Sequence, residues 1–135
     1  MIKTIQLPSK GQGLHEITHD INNIISASSQ DDGLCTIFIK HTSCSLTIQE
    51  NADPSARNDL QNWLNQLVSE DDPIYTHTFE GKDDMPAHIK AALTATTLSI
   101  PYQNRNLCLG TWQGVFLWEH RYRGGARSIV IHLGE

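Results

Sequence analysis

The sequence predicts an α+β fold: a mostly antiparallel β-sheet or sandwich with about three helices, in the order ββ-α-ββ-αα-ββββ. Three observations lead there. Strand-like stretches flank two helical patterns that adjoin one another, so β and α do not alternate as a parallel sheet requires. From residue 98 onward the chain reads as four strands joined by short turns, which makes them antiparallel. Neither G-x-G-x-x-G nor G-x-x-x-x-G-K-[ST] occurs, which removes the Rossmann and P-loop arrangements.

The elements follow in order. Residues 2–7 alternate as a short strand stopped by Pro8, and 14–18 form a second after the turn signal KGQG. From Thr18 the apolar spacing changes to three and four, with Ile21, Ile24 and Ile25, the period of a helix. SASSQDDG ends it as a loop. Residues 34–40 and 45–49 are rich in β-formers, with a bend at HTSC. Asp53 is then a good N-cap with Pro54 at the first helical position, and Ala56, Leu60, Trp63, Leu64 and Leu67 form one apolar stripe. Residues 74–79 read as extended. Asp83 or Asp84 caps a third helix, tolerating Pro86 in its first turn and running to about Ala95. The remaining strands are expected at 98–102, 107–110, 113–119 and 128–133. YRGGAR reads as a hairpin turn in which Gly124 and Gly125 are free to take positive φ. His132 and its neighbours read as an ordinary edge or surface strand.

With 135 residues the chain is expected to be a single domain, 1–135, large enough for one real core. A net charge of −5 and scattered basic residues argue against a nucleic-acid partner. No run approaches a membrane span. The first residues have no apolar signal-peptide region, which favours a cytoplasmic location. Cys35, Cys44 and Cys108 are an odd count without a C-x-x-C pair and read as reduced, mostly buried thiols.

Three stretches concentrate chemistry. In IYTHTFEGKDDMPAHIK, His77 and His88 bracket Glu80, Asp83 and Asp84. His88 falls near the start of a helix, where the dipole disfavours imidazolium and leaves the neutral ring that binds metal or accepts protons. The same dipole favours Asp83 and Asp84 as caps, a structural role weighed ahead of a catalytic one. In KHTSCSLTIQENADP, His41 ends one strand, while Glu50, Asn51 and Asp53 end the next beside a helix start; Asp53 reads first as a cap. In GTWQGVFLWEHR, alternation separates Gln113, Val115, Leu117 and Glu119 from Trp112, Phe116, Trp118 and His120. The aromatic face reads as core or subunit interface, and a buried Glu119 would need Arg121, Arg123 or Arg127 as partner.

Together, and in this order along nearly the whole chain, HTSCSLTIQENADP, the Y-x-H of Tyr75 to His77, EGKDDMPAHIKAAL and LGTWQGVFLWEHR resemble the YjbQ-like family, described as secondary thiamine-phosphate synthases. The resemblance implies a compact α+β domain that assembles as a homotrimer, with a site near a subunit boundary. It implies a weak, secondary activity that joins a pyrimidine methyl diphosphate to a thiazole phosphate with release of pyrophosphate. The family positions found are His41, Asn51, Asp53, Asp59, His77, Glu80, Asp83, His88, Gln113 and Glu119.

The resulting expectation is a divalent metal ion, zinc or magnesium, on His77 and His88 with His41. His41, Glu80 and Glu119 would orient ligands or move protons, and Asn51, Asp53, Asp83 and Gln113 would position a small phosphorylated heterocyclic substrate. Two alternatives stand beside it: metal-assisted hydrolysis of another small substrate, and a trimeric small-ligand-binding protein without turnover.

Overall fold

The computed structural model describes residues 1–8 and 10–134. Strands and helices follow the expected order: β1 (Ile2–Leu7), β2 (Gly13–Glu16), α1 (Thr18–Ser26), β3 (Gly33–Ile39), β4 (Cys44–Glu50), α2 (Pro54–Leu67), α3 (Asp84–Leu93), β5 (Thr97–Gln103), β6 (Asn106–Leu107), β7 (Gln113–Glu119) and β8 (Arg127–Gly134). They form two antiparallel sheets. One has five strands in the order β1-β8-β3-β5-β6, the other three in the order β2-β7-β4.

The main core lies between the sheets and under α1. Ile21, Ile24 and Ile25 of α1, at the spacing that predicts the helix, meet Cys35 and Ile37 of β3, Ile129 and Ile131 of β8, and Val115 and Leu117 of β7. A smaller cluster covers the other face of the three-stranded sheet, where Phe116, Trp118 and Leu14 meet Leu64 of α2 and Val68. Strand β7 is therefore apolar on both faces because something covers each. The expected split into an aromatic face and a mixed face describes which layer each residue enters. Trp112, assigned to that aromatic face, is instead exposed.

Several expectations are corrected. β8 is no edge strand: it lies between β1 and β3, and Ile129, Ile131 and Leu133 are almost fully buried. The four late strands do not pair in succession. Only β5 and β6 are neighbours, while β7 crosses to the other sheet. YRGGAR is consequently a crossover between sheets, not a hairpin. Gly125 does take positive φ (74°), but Gly124 is required for room: a Cβ there would overlap the Glu119 carboxylate. The tight hairpin is β5–β6, with Asn104 and Arg105 both at positive φ and held by Asp32 and Asp31. The expected strand 107–110 shrinks to β6.

The stripe on α2 is only partly covered, since Leu64 is buried but Trp63 and Leu67 are exposed. Residues 74–79 form no strand, and Ile74 and Phe79 stand in solvent. Cys35 and Cys44 are buried as expected, and burial pushes the Cys44 thiol up to about 12; Cys108 is exposed.

Candidate metal centre

Helix α3 begins where the acidic run EGKDD meets Pro86, and its first residues are expected to cap it. They do something else. Asp83 occupies the N-cap position without a side-chain cap bond. Its carboxylate accepts instead from Arg121 Nε (3.0 Å) and from the Tyr122 backbone N–H (2.8 Å). Asp84 accepts from Arg121 Nη1 at 2.8 Å, and the Glu80 carbonyl accepts from Arg121 Nη2 at 2.7 Å. One guanidinium, just past the end of β7, thus fastens the start of α3 with a planar fork of charge-assisted bonds.

Asp84 and His88 are one helical turn apart and share a face of α3. His77 comes from the preceding irregular segment, which is anchored upstream by the Tyr75 hydroxyl on the Ser69 carbonyl at 2.7 Å. His77 Nε2 lies 2.8 Å, and His88 Nε2 3.3 Å, from the same Asp84 oxygen Oδ2. The two rings meet edge to face with centroids 5.3 Å apart. His77, Asp84 and His88 each offer a ligand atom within 4.8 Å of the others'. Asp84 is 2% exposed, whereas His77 faces solvent. The carboxylate is the buried floor and the imidazoles form the rim.

The tautomer of His88 sharpens this picture. Its Nδ1 lies 3.0 Å from the Thr42 carbonyl, which only accepts, so Nδ1 carries the proton. In the neutral ring Nε2 is then a lone pair, aimed at a carboxylate oxygen. Two acceptors face each other unless a proton or a metal cation lies between them. Carbonyl-bound imidazoles with the other nitrogen free are also how proteins orient metal-ligating histidines.

The other expected residues separate into two groups. Near the centre, the segment 41–43 links it to a buried ion pair. Thr42 receives His88, and the Ser43 hydroxyl receives Arg127 Nη2 at 3.0 Å. Arg127 grips Glu119, with Nε 2.7 Å from Oε1 and Nη2 on Oε2. Glu119 therefore has the arginine partner its burial demands, Arg127 of the three considered. His41 does not join the metal-type group: its Nε2 accepts the Ser128 backbone N–H at 2.8 Å. Burial, and then the positive charge of Arg127, hold its pKa below the ordinary histidine value. Glu80 is exposed and contributes its carbonyl to Arg121.

Asn51, Asp53 and Gln113 lie at the opposite end of the β4–β7 pair. The register runs from Cys44↔Glu119 to Glu50↔Gln113, six steps, or about 20 Å of strand. There Asn51 Nδ2 donates to Glu16 Oε2 at 3.0 Å, Gln113 Oε1 accepts from the Gly110 N–H, and Asp53 accepts from the Ser55 N–H as the N-cap of α2. That backbone bond holds the Asp53 carboxyl below its usual range. Within one chain, the structure does not bring these three to the histidines.

Residues 3–135 match the model of the family described as UPF0047 protein YjbQ-like. The chain belongs to this family. Among YjbQ-like relatives it is 50% identical to UPF0047 protein sll1880 of Synechocystis, over 94% of this chain and 86% of that one. It is 40% identical to the UPF0047 protein YjbQ of Escherichia coli O157:H7, over 97% and 95%. The solved structure of the conserved hypothetical protein TT1486 from Thermus thermophilus superposes with a TM-score of 0.87 at 32% identity, covering 98% of this chain and 99% of that one. None of the helices in the described residues of this YjbQ-like chain is long and apolar enough to cross a membrane.

Two members of the centre escape sequence reasoning as functional residues. Asp84 reads as a cap, although the D-x-x-x-H spacing of Asp84 and His88 carries the signal of a shared helical face. Arg121 reads as one of three possible partners for Glu119 and one of several scattered basic residues, and nothing local in the sequence connects it to a helix start 37 residues earlier.

Proposed function

We propose that the protein is a metal-dependent enzyme whose divalent cation is held by His77, Asp84 and His88. The observation that carries the reading is the convergence of His77 Nε2 and His88 Nε2 on one oxygen of the buried Asp84 carboxylate, with the His88 ring oriented by the Thr42 carbonyl. Two imidazoles and one carboxylate suit zinc better than magnesium, which prefers an all-oxygen shell. Three protein ligands leave room for a further group, as catalytic rather than structural sites do. When bound, such a cation supplies Lewis acidity at the solvent-facing rim.

The chain's own residues supply the rest. Thr42 and Arg121 hold the His88 ring and the Asp84 carboxylate in place. His41, whose pKa is lowered by burial and then by Arg127, favours the neutral ring at the start of the segment that carries Thr42, and is the candidate for handling a proton if its Nε2 is released by the Ser128 N–H. The resemblance to secondary thiamine-phosphate synthases suggests a phosphorylated heterocyclic substrate and pyrophosphate as leaving group. A second reading, metal-assisted hydrolysis of another small substrate, is favoured by one observation. Arg121, the guanidinium at the centre, is already engaged by Asp83, Asp84 and the Glu80 carbonyl, leaving less charge for a diphosphate.

The homotrimer belongs to the same reading. Asn51, Asp53 and Gln113, at the end of β4–β7 about 20 Å along the strands from Cys44 and Glu119, would position substrate only from a neighbouring copy. A cytoplasmic location accords with a reduced, buried Cys35 and Cys44.

The test is direct. The protein is purified and its zinc content measured, then His77→Ala and His88→Ala are compared with it for metal content and for rescue of a thiamine auxotroph. Loss of metal with loss of rescue supports the synthase. Loss of metal with rescue unchanged moves the reading to hydrolysis, assayed on phosphate and amide substrates. Metal binding unchanged in both variants refutes the centre, and a monomer by sedimentation at micromolar concentration refutes the trimer.

A further inference from the structure

On the other side of α3 from His88, Lys90 extends into the molecule and is 2% exposed. Its Nζ donates to Asn65 Oδ1 at 2.5 Å. Among the described residues this is its single hydrogen-bond partner, and none of the ion pairs includes it. An ammonium has three protons to place, and although Lys90 feels the negative charges of Glu70 and Asp83, no carboxylate among the described residues stands at ion-pair distance from it. Asn65 is itself fixed, accepting from Gln61 Nε2 at 2.9 Å and donating to Gln12 Oε1 at 3.1 Å, so its carbonyl oxygen is committed to this arrangement.

Lys90 is not sealed in. It lines a cleft of about 360 Å³ between the end of α2 and α3, whose walls include Asn65, Ser69, Glu70, Asp71 and Tyr122. Glu70 accepts the Tyr122 hydroxyl on Oε1, which orients its carboxylate and leaves the second oxygen available. Asp71 is exposed, and its carboxylate stands 3.9 Å from Lys82 Nζ, a loose surface pair that a bound ammonium would compete with. The cleft thus has a positive floor and negative walls. A polyanion would gain at Lys90 and be repelled by Glu70 and Asp71; a simple cation would meet the reverse. A molecule carrying one charge of each sign, separated by a bond or two, satisfies both.

We propose that this cleft binds a small zwitterion of the α-amino-acid type, with its carboxylate on Lys90 and its ammonium on Glu70 and Asp71. The site does not include His77, Asp84 or His88. The volume suits a small side chain, and Ser69, Gln66 and Tyr122 offer polar contacts beside the charges.

The experiment is calorimetric titration of the whole chain with a panel of free amino acids. EDTA is present throughout, because amino acids themselves chelate zinc and would otherwise report on the metal centre. Each is compared with its amide, which lacks the carboxylate charge, and its N-acetyl form, which lacks the ammonium. Saturable binding of at least one free amino acid is expected, weakened at least about tenfold in both derivatives and abolished in Lys90→Met. Glu70→Gln provides a second reading should Lys90→Met fail to fold: it should weaken the free amino acid and strengthen the N-acetyl form, from which it lifts a repulsion. Absence of saturable binding across the panel, equal binding of the amides and N-acetyl forms, or undiminished binding by a folded Lys90→Met would overturn the assignment.

Discussion

Asp84→Asn isolates the chemistry of the metal centre from its architecture. The asparagine has nearly the shape of the aspartate and keeps one acceptor for Arg121, but it removes the charge that faces His77 and His88. Breaking a buried ion pair by deleting one partner costs about 3–5 kcal/mol when the remaining charge is stranded. Here Arg121 keeps Asp83 and the Glu80 carbonyl and is itself partly exposed, so a loss of about 1–2 kcal/mol in metal-free protein is expected. The decisive quantity is the gain on adding zinc. A ligand at a hundredfold over its Kd stabilises the folded state by about 2.7 kcal/mol, which for a chain of this size is about 10 °C in Tm. Thermal denaturation with EDTA and with zinc, for both proteins, separates the two effects. The unsubstituted protein should gain close to the full shift and Asp84→Asn little of it. An equal zinc shift in both, or none in the unsubstituted protein, would rule out Asp84 as a metal ligand.

Two further outcomes concern the buried polar groups. Gly124→Ala places a Cβ on top of Glu119 Oε1, so the Arg127–Glu119 pair must shift or the crossover must move; a loss of about 3 kcal/mol or more in urea denaturation is expected, and a near-neutral result would show that the crossover yields easily. His120 is fully buried, bonded through Nε2 to the Ser45 hydroxyl at 2.9 Å, and its pKa is pushed down to about 3 by burial first and then by Lys90 and Arg127. Below about pH 6.5 the unfolded chain takes up this proton and the folded one does not, so stability is lost on acidification between about 6.5 and 3, by up to about 1.4 kcal/mol per pH unit from this group. Urea midpoints followed against pH should therefore fall less steeply in His120→Gln, and identical slopes would contradict the assignment.

Much of the fold is legible in the sequence because local patterns report local physics. Ile21, Ile24 and Ile25 mark α1, Asp53-Pro54 marks the start of α2, and the alternation in β7 assigns each of its residues correctly to a side. The same patterns misread what covers those sides. The α2 stripe runs further than its cover, leaving Trp63 exposed, and the apolar alternation of β8 does not say whether one strand or two will flank it. Periodicity identifies an apolar face; the partner on that face arrives from anywhere in the chain.

The candidate site divides in the same way. His77 and His88 can be singled out by residue type and by their place beside a helix start. Asp84 cannot be told from a cap, because a carboxylate at a helix start suits both descriptions equally well. What decides between them is Arg121, delivered by the end of β7, together with the Thr42 carbonyl that fixes the proton on His88. Local patterns along the chain reveal most of the elements and the side chains able to ligate or carry protons, since those properties reside in a few neighbouring residues. That His77, Asp84 and His88 converge while Asn51, Asp53 and Gln113 gather at the far end of β4–β7 emerges with the folded arrangement alone, because hydrogen-bond partners and charges act over a few ångströms of space and are indifferent to distance along the chain.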